Sequence, residues 1–261
     1  MKDDMAGRKQ QTNLDVGTGT GGDRSSSNFT ARDERGAAFT LIELLVVIGI
    51  IALLASLVVG GTHYASTAMR RNRIRAELNQ LVTAIEAYFA RFNQYPPDNV
   101  VNGIVNPVTN QLFYELTGVL VNDDKGGRFY LPGRQRWLNS AIVQQFFHTD
   151  GFLNSGTSPK EIKQCAAFKS EQHKAIFVSG AGSMDDVEVL RVPVDWPLND
   201  PSNPPPFNGM AGPNVKQINP WRYVGPGHAT NNPAGFDLWA EYVEGGKTKI
   251  ICNWSKEVLE K

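Results

Sequence analysis

Apolar residues run almost without interruption over residues 39–60, and Glu43 is the one ionisable side chain among them. A helix over that span would be ~33 Å long, enough to cross the hydrocarbon layer of a bilayer. Backbone groups in lipid must be satisfied internally, so helix is the expected form. A helix buried inside a soluble protein usually keeps a polar stripe, and this segment shows none. A carboxylate there costs ~2.5–3.5 kcal/mol on insertion scales. Glu43 therefore calls for a partner, or else sits at the interface.

After Gly60 and Gly61, each weakening a helix by ~1 kcal/mol relative to alanine, the pattern changes. Ile74, Leu78, Leu81, Ile85, Tyr88 and Phe92 recur at alternating intervals of four and three. That spacing predicts an amphipathic helix with one apolar stripe, which needs a surface to lie on. Tyr95-Pro96-Pro97 ends it, because proline disfavours helical geometry in the residue before it. Residues 39–92 thus read as one helix of roughly 80 Å, half in lipid and half docked on a globular head. Gly49, Ala52, Ala55 and Ser56 either allow close helix–helix approach or are ordinary membrane-helix composition.

Downstream the pattern predicts short elements. Residues 110–116 suggest a helix capped by Asn110 and ended by Gly118, and residues 139–147 a second one. Residues 175–179 and 187–192 are strand-like, and the proline-rich stretch 197–213 is an extended loop. Near the end, Tyr223-Val224, residues 236–242 and residues 248–254 suggest a small antiparallel sheet, with Gly245-Gly246 at the last hairpin. The Trp and Tyr residues there fit sheet core better than a ligand platform.

Composition adds little. The formal net charge is zero, so no global field argues for nucleic acid or an acidic substrate. Residues 1–38 are polar and aperiodic, the composition of a disordered segment. The glycine run at 17–22 fits GxGxxG but lacks a strand before it and a helix after it. Arg32 and Arg35 precede the apolar span, and Arg70, Arg71, Arg73 and Arg75 follow it. Charge bias alone therefore does not orient it. Cys165 and Cys252 are too few for a disulfide scaffold. A bridge between them is open if the head lies outside the cytoplasm.

At Ala38-Phe39-Thr40-Leu41-Ile42-Glu43-Leu44-Leu45-Val46-Val47-Ile48 the chain resembles the N-terminal processing motif of type IV pilins and type II secretion pseudopilins. The resemblance implies cleavage by a prepilin peptidase between Ala38 and Phe39 and methylation of the new Phe39 amine. It also implies that Glu43 pairs with the terminal amine of a neighbouring subunit. Ala38 departs from the glycine usual before the cleaved bond. A second likeness lies in Asn219-Pro220-Trp221-Arg222-Tyr223, Phe236-Asp237-Leu238-Trp239 and Ile251-Cys252-Asn253-Trp254, similar to the end of the major pseudopilin. Relatives of that kind bind calcium in the loop before the last Trp. Here Ile250 stands where an Asp is expected, and the loop is Glu244-Gly245-Gly246-Lys247.

The resulting expectation is an α+β fold, a long N-terminal helix packed on a small antiparallel sheet. Its parts are a cleaved leader (1–38), a transmembrane and assembly helix (39–61), its amphipathic continuation (62–92) and a pilin-like head (93–261) with an insertion at about 98–215. The expected location is the inner membrane, single-pass with an extracytoplasmic head, then a periplasmic or surface fibre. The expected partners are further copies, minor pilins, the prepilin peptidase and an inner-membrane assembly platform, with no nucleic acid. No catalytic constellation stands out: His63, His148, His173 and His228 are scattered, Cys165 and His173 lack zinc spacing, and Asp123-Asp124 and Asp185-Asp186 read as loop acids. Neither an enzyme nor a cofactor is expected. Two functions of different class remain, a structural fibre subunit and a membrane-anchored ligand-binding protein that does not polymerise.

Overall fold

The structure is a computed structural model describing residues 39–122, 127–132, 137–180, 183–198, 200–208, 210 and 214–261, without the side chains of 57–64, 180, 183 and 184. The leader 1–38, Ala38 included, and the Asp123-Asp124 pair lie outside the described residues. The chain divides into two compact units, ending and beginning at Leu53 and Leu54. Helix α1 (Leu41–Phe92) starts in the first unit and ends in the second, and Gly60 and Gly61 are helical.

Two expectations are corrected here. Among the described residues, no helix is long and apolar enough to cross a membrane. The transmembrane helix and the single-pass anchor in an inner membrane are set aside accordingly. The expected pilin-like fold, a long helix packed on one small antiparallel sheet, is set aside as well. Four sheets occur among the described residues, one of them containing a parallel pair.

The second unit is built on the striped part of α1. Ile74, Leu78, Leu81, Ile85 and Tyr88 are at most 2% exposed and belong to one continuous core. Burying each such side chain contributes ~1.5–3 kcal/mol, which is why this stretch is held down. After α1 come strands β1 (Val100–Val101) and β2 (Ile104–Val105), then helix α2 (Leu112–Thr117). The sheet that follows runs β5-β4-β3-β6, from β3 (Val119–Asn122), β4 (Arg128–Tyr130), β5 (Trp137–Asn139) and β6 (Ser155–Gly156). Helix α3 (Ser140–Phe147) lies between β5 and β6 in sequence, with the Asn139 side chain accepting from the Ala141 amide at 2.9 Å. Gly118 ends α2 at φ 81°, where an added Cβ would stand 3.1 Å from Ile162. Only glycine meets both demands.

Strands β7 (His173–Gly180) and β8 (Ser183–Leu190) pair over their whole length. The terminal sheet is antiparallel in the order β12-β11-β10-β9, from β9 (Arg222–Val224), β10 (Asp237–Glu244), β11 (Lys247–Cys252) and β12 (Leu259–Glu260). Gly245 (φ 61°) and Gly246 (φ 75°) make the β10–β11 turn, the left-handed pair that a two-residue hairpin requires. Leu238, Ala240 and Tyr242 alternate into the core of this sheet, as the two-residue period dictates. The described residues of 98–215, a stretch without a legible motif in sequence, carry β1 to β8, α2 and α3.

Candidate assembly surface

Over residues 41–53 the large apolar side chains are exposed, from Leu41 at 81% to Val47 at 46%. Consecutive residues take part, Leu44, Leu45, Val46, Val47 and Ile48 among them. An exposed run of consecutive helical positions surrounds the helix, so this is an apolar sleeve and not one face. Continuous apolar surface of that kind marks a site of association.

Glu43 sits at the start of the sleeve in a reciprocal cap. Its Oε2 accepts from the Thr40 amide at 2.9 Å and from the Thr40 hydroxyl at 2.7 Å. The Glu43 amide donates back to Thr40 Oγ1 at 3.3 Å. This capping box satisfies donors that the first helical turn leaves open, and it puts negative charge at the positive end of the helix dipole. The Thr-x-x-Glu spacing before an apolar run was the sequence signal for it. Phe39, one residue upstream, is 81% exposed.

In the second unit the other predicted site residues do not converge. Cys165 and Cys252 are both free thiols, which corrects the proposed bridge. Arg91 Nη1 lies 3.5 Å from Cys165 Sγ, whereas Arg75 Nη1 donates to the Cys252 carbonyl at 3.0 Å. Those two arginines are ~24 Å apart along the helix axis, and a disulfide needs Cα atoms within ~7 Å. The loop that corresponds to the calcium loop of the pseudopilins has its charges engaged: Glu244 pairs with Arg71 at 2.5 Å and Lys247 with Glu260 at 2.6 Å. Among the described residues, no group of three or more His, Cys, Asp or Glu side chains could hold a metal ion.

Asp185 and Asp186 lie in β8, not in a loop, and Asp185 Oδ2 accepts from the Asn139 amide at 2.7 Å. His173 Nδ1 meets Glu188 at 2.7 Å, and His228 Nδ1 meets Asp98 at 2.7 Å. Among the described residues, neither pair belongs to a group of three or more His, Cys, Asp or Glu side chains. Arg222, a buried residue of β9 in the terminal sheet, has its pKa lowered to about 10 by burial, with Glu241 opposing the shift.

Sequence reasoning missed one buried polar hub. Glu115 is fully buried, and its carboxylate accepts from the Leu153 amide at 2.8 Å, the Asn154 amide at 3.0 Å and the Tyr88 hydroxyl at 2.9 Å. Burial raises its pKa, and the bonds from Asn154, Leu153 and Tyr88 pull the other way. The hub ties α1 to α2 and to the residues just before β6, and its carboxylate is closed off from solvent, so it is structural. No residue spacing announced it, because its partners are distant in sequence.

No protein-family profile, curated protein or solved structure matches the chain. The resemblance to pilins and pseudopilins therefore stands on the quoted motifs.

Proposed function

We propose that the chain is a structural subunit of a fibre of the type II secretion pseudopilus or type IV pilus kind, assembled through the apolar sleeve at 41–53. The observation that carries this reading is the sleeve itself, exposed all round the helix and headed by one acid. Covering a large apolar side chain contributes ~1.5–3 kcal/mol. Several together exceed the ~4–15 kcal/mol lost when freedom of motion is given up on association. Copies of the same sleeve are the cover that matches it in length and chemistry.

On this reading a prepilin peptidase cuts between Ala38 and Phe39 and methylates the Phe39 amine. Glu43 then receives a neighbour's amine. Both Thr40 bonds fall on Oε2, which leaves Oε1 to accept. That ion pair sets the axial offset between helices that are otherwise uniformly apolar. Further copies, minor pilins, the peptidase and an assembly platform are the partners.

Electron microscopy and mass spectrometry of sheared surface fractions test the proposal. The expected result is fibres whose subunit begins at methylated Phe39, and loss of ordered fibres in Glu43→Val with the chain still folded. Fibres built normally by Glu43→Val alone, or by subunits that still carry residues upstream of Phe39, would sink it.

A further inference from the structure

The terminal sheet has a second face. Leu238, Ala240 and Tyr242 point into the core, so Trp239 and Glu241 point the other way, and register sets Arg222 opposite Trp239. Trp196, Ser202, Asn203, Pro204 and Pro206 border this face. Trp196 Nε1 donates to the Asn203 carbonyl at 2.9 Å, and the Thr248 hydroxyl donates to the Asn203 side chain. The Arg222 guanidinium stands 5.4 Å from the centre of the Trp196 ring. Between sheet and segment lies a cavity of about 780 Å³, lined by Trp239, Arg222, Glu241, Asn203, Lys247 and Lys261 among others.

The charges in this lining are paired. Glu241 lies 3.5 Å from Arg222 and 3.2 Å from Lys261, and its Oε1 also accepts from Trp239 Nε1 at 3.2 Å. Lys247 meets Glu260 at 2.6 Å. An anionic ligand would meet Glu241 and Glu260, and a cationic one would meet Arg222, Lys247 and Lys261. A neutral ligand escapes both repulsions. Arg222 and Glu241 are 6% and 8% exposed, and a buried ion pair seldom stabilises a fold better than apolar residues would. Its presence at a cavity wall fits a role in orienting a ligand.

Hydroxyl groups both donate and accept, so they can use carboxylate, ammonium and guanidinium neighbours together. Trp239 is half-buried, with Trp254 packed against it edge-on at 5.8 Å. It offers indole surface to an apolar ring of C–H groups. A neutral sugar is the ligand that combines such a ring with such hydroxyls. We propose that this cavity is a binding site for a neutral saccharide, with Trp239 as the stacking platform and Glu241, Lys247 and Lys261 as hydrogen-bonding groups. The site is independent of fibre assembly, since every residue in it belongs to the second unit.

Calorimetric titration of the full chain with cellotriose, maltotriose and chitotriose, beside glucuronate and choline, tests it. At least one trisaccharide should bind at millimolar concentration or below, and more tightly than either charged compound. Trp239→Ala should weaken that binding by about tenfold, the scale of one aromatic contact, while Trp239→Phe keeps most of it. Should Trp239→Ala fail to fold, Lys247→Ala decides, because that side chain is 64% exposed. It should weaken binding severalfold with the melting temperature unchanged. Absence of binding by all three trisaccharides overturns the proposal. So does tighter binding of a charged compound, or affinity indifferent to these substitutions.

Discussion

Around Ile85, α1 sets an apolar side chain at every third or fourth position and polar ones between, whereas around Ile48 it is apolar at every position. Ile85 is fully buried and Ile48 is 57% exposed. The stripe has as much apolar surface as one protein core can cover, and its polar remainder faces water. The sleeve has more than any single folded unit could cover from one side. One helix therefore carries a stability element and an association element, and the difference between them is the breadth of the apolar arc.

The largest break of this comparison comes from truncating each side in turn. Ile85→Ala should cost the second unit ~2–5 kcal/mol in denaturant unfolding, through lost burial and a residual cavity. Ile48→Ala should change that stability by no more than ~0.5 kcal/mol, as an exposed substitution does, while lowering fibre yield. Equal losses in the two variants would mean the sleeve is buried within the folded subunit.

The stripe also depends on the Glu115 hub, through the Tyr88 hydroxyl. Glu115→Ala leaves that hydroxyl and the Leu153 and Asn154 amides without their acceptor, and should cost about 3 kcal/mol. The pH dependence follows from its raised pKa. A carboxyl that titrates higher when folded binds more protons in the folded state, so its contribution is greatest below the ordinary value of 4.5 and falls as pH rises towards the folded pKa. Above the folded pKa it is constant. Melting curves of the native chain and Glu115→Gln across that interval should differ in slope, with the native chain losing stability relative to the variant.

A smaller effect is expected at Arg75, whose guanidinium donates to the carbonyls of Cys252, Ser255 and Lys256 at 2.9–3.0 Å. Arg75→Ala should cost about 2 kcal/mol, the scale of a charged hydrogen bond, and should speed amide exchange over residues 252–256. The smallest change is Thr40→Ala, which removes half of the capping box. Helix stability at the start of the sleeve should drop by ~1 kcal/mol, read as faster amide exchange in the first turn. The second unit should not respond.

Legibility in the sequence followed the range of the interactions. The stripe from Ile74 to Tyr88 was readable because a helix repeats every 3.6 residues whatever it packs on. The β10–β11 hairpin was readable for a similar reason: Gly245-Gly246 and the alternation of Leu238, Ala240 and Tyr242 are local signals. Strands β1 to β6 were not readable, since two to four residues show no period, and β3 and β6 meet only after a connection that includes α3. Two of the sheets beyond the expected C-terminal one, β1-β2 and β5-β4-β3-β6, went unread for that reason.

For the candidate site, the sequence by itself determined where the apolar sleeve lies and that Glu43 is its lone charge. It also held the Thr40–Glu43 spacing that the structure turned into a cap. Tertiary structure alone decided that Cys165 and Cys252 stay apart, that Glu115 joins three segments, and that Trp239, Arg222 and Glu241 line a cavity with the Trp196 segment. Periodicity and capping act within a few residues and are written into the order of the chain. Convergence of distant side chains depends on how the elements pack, and no stretch of sequence contains it.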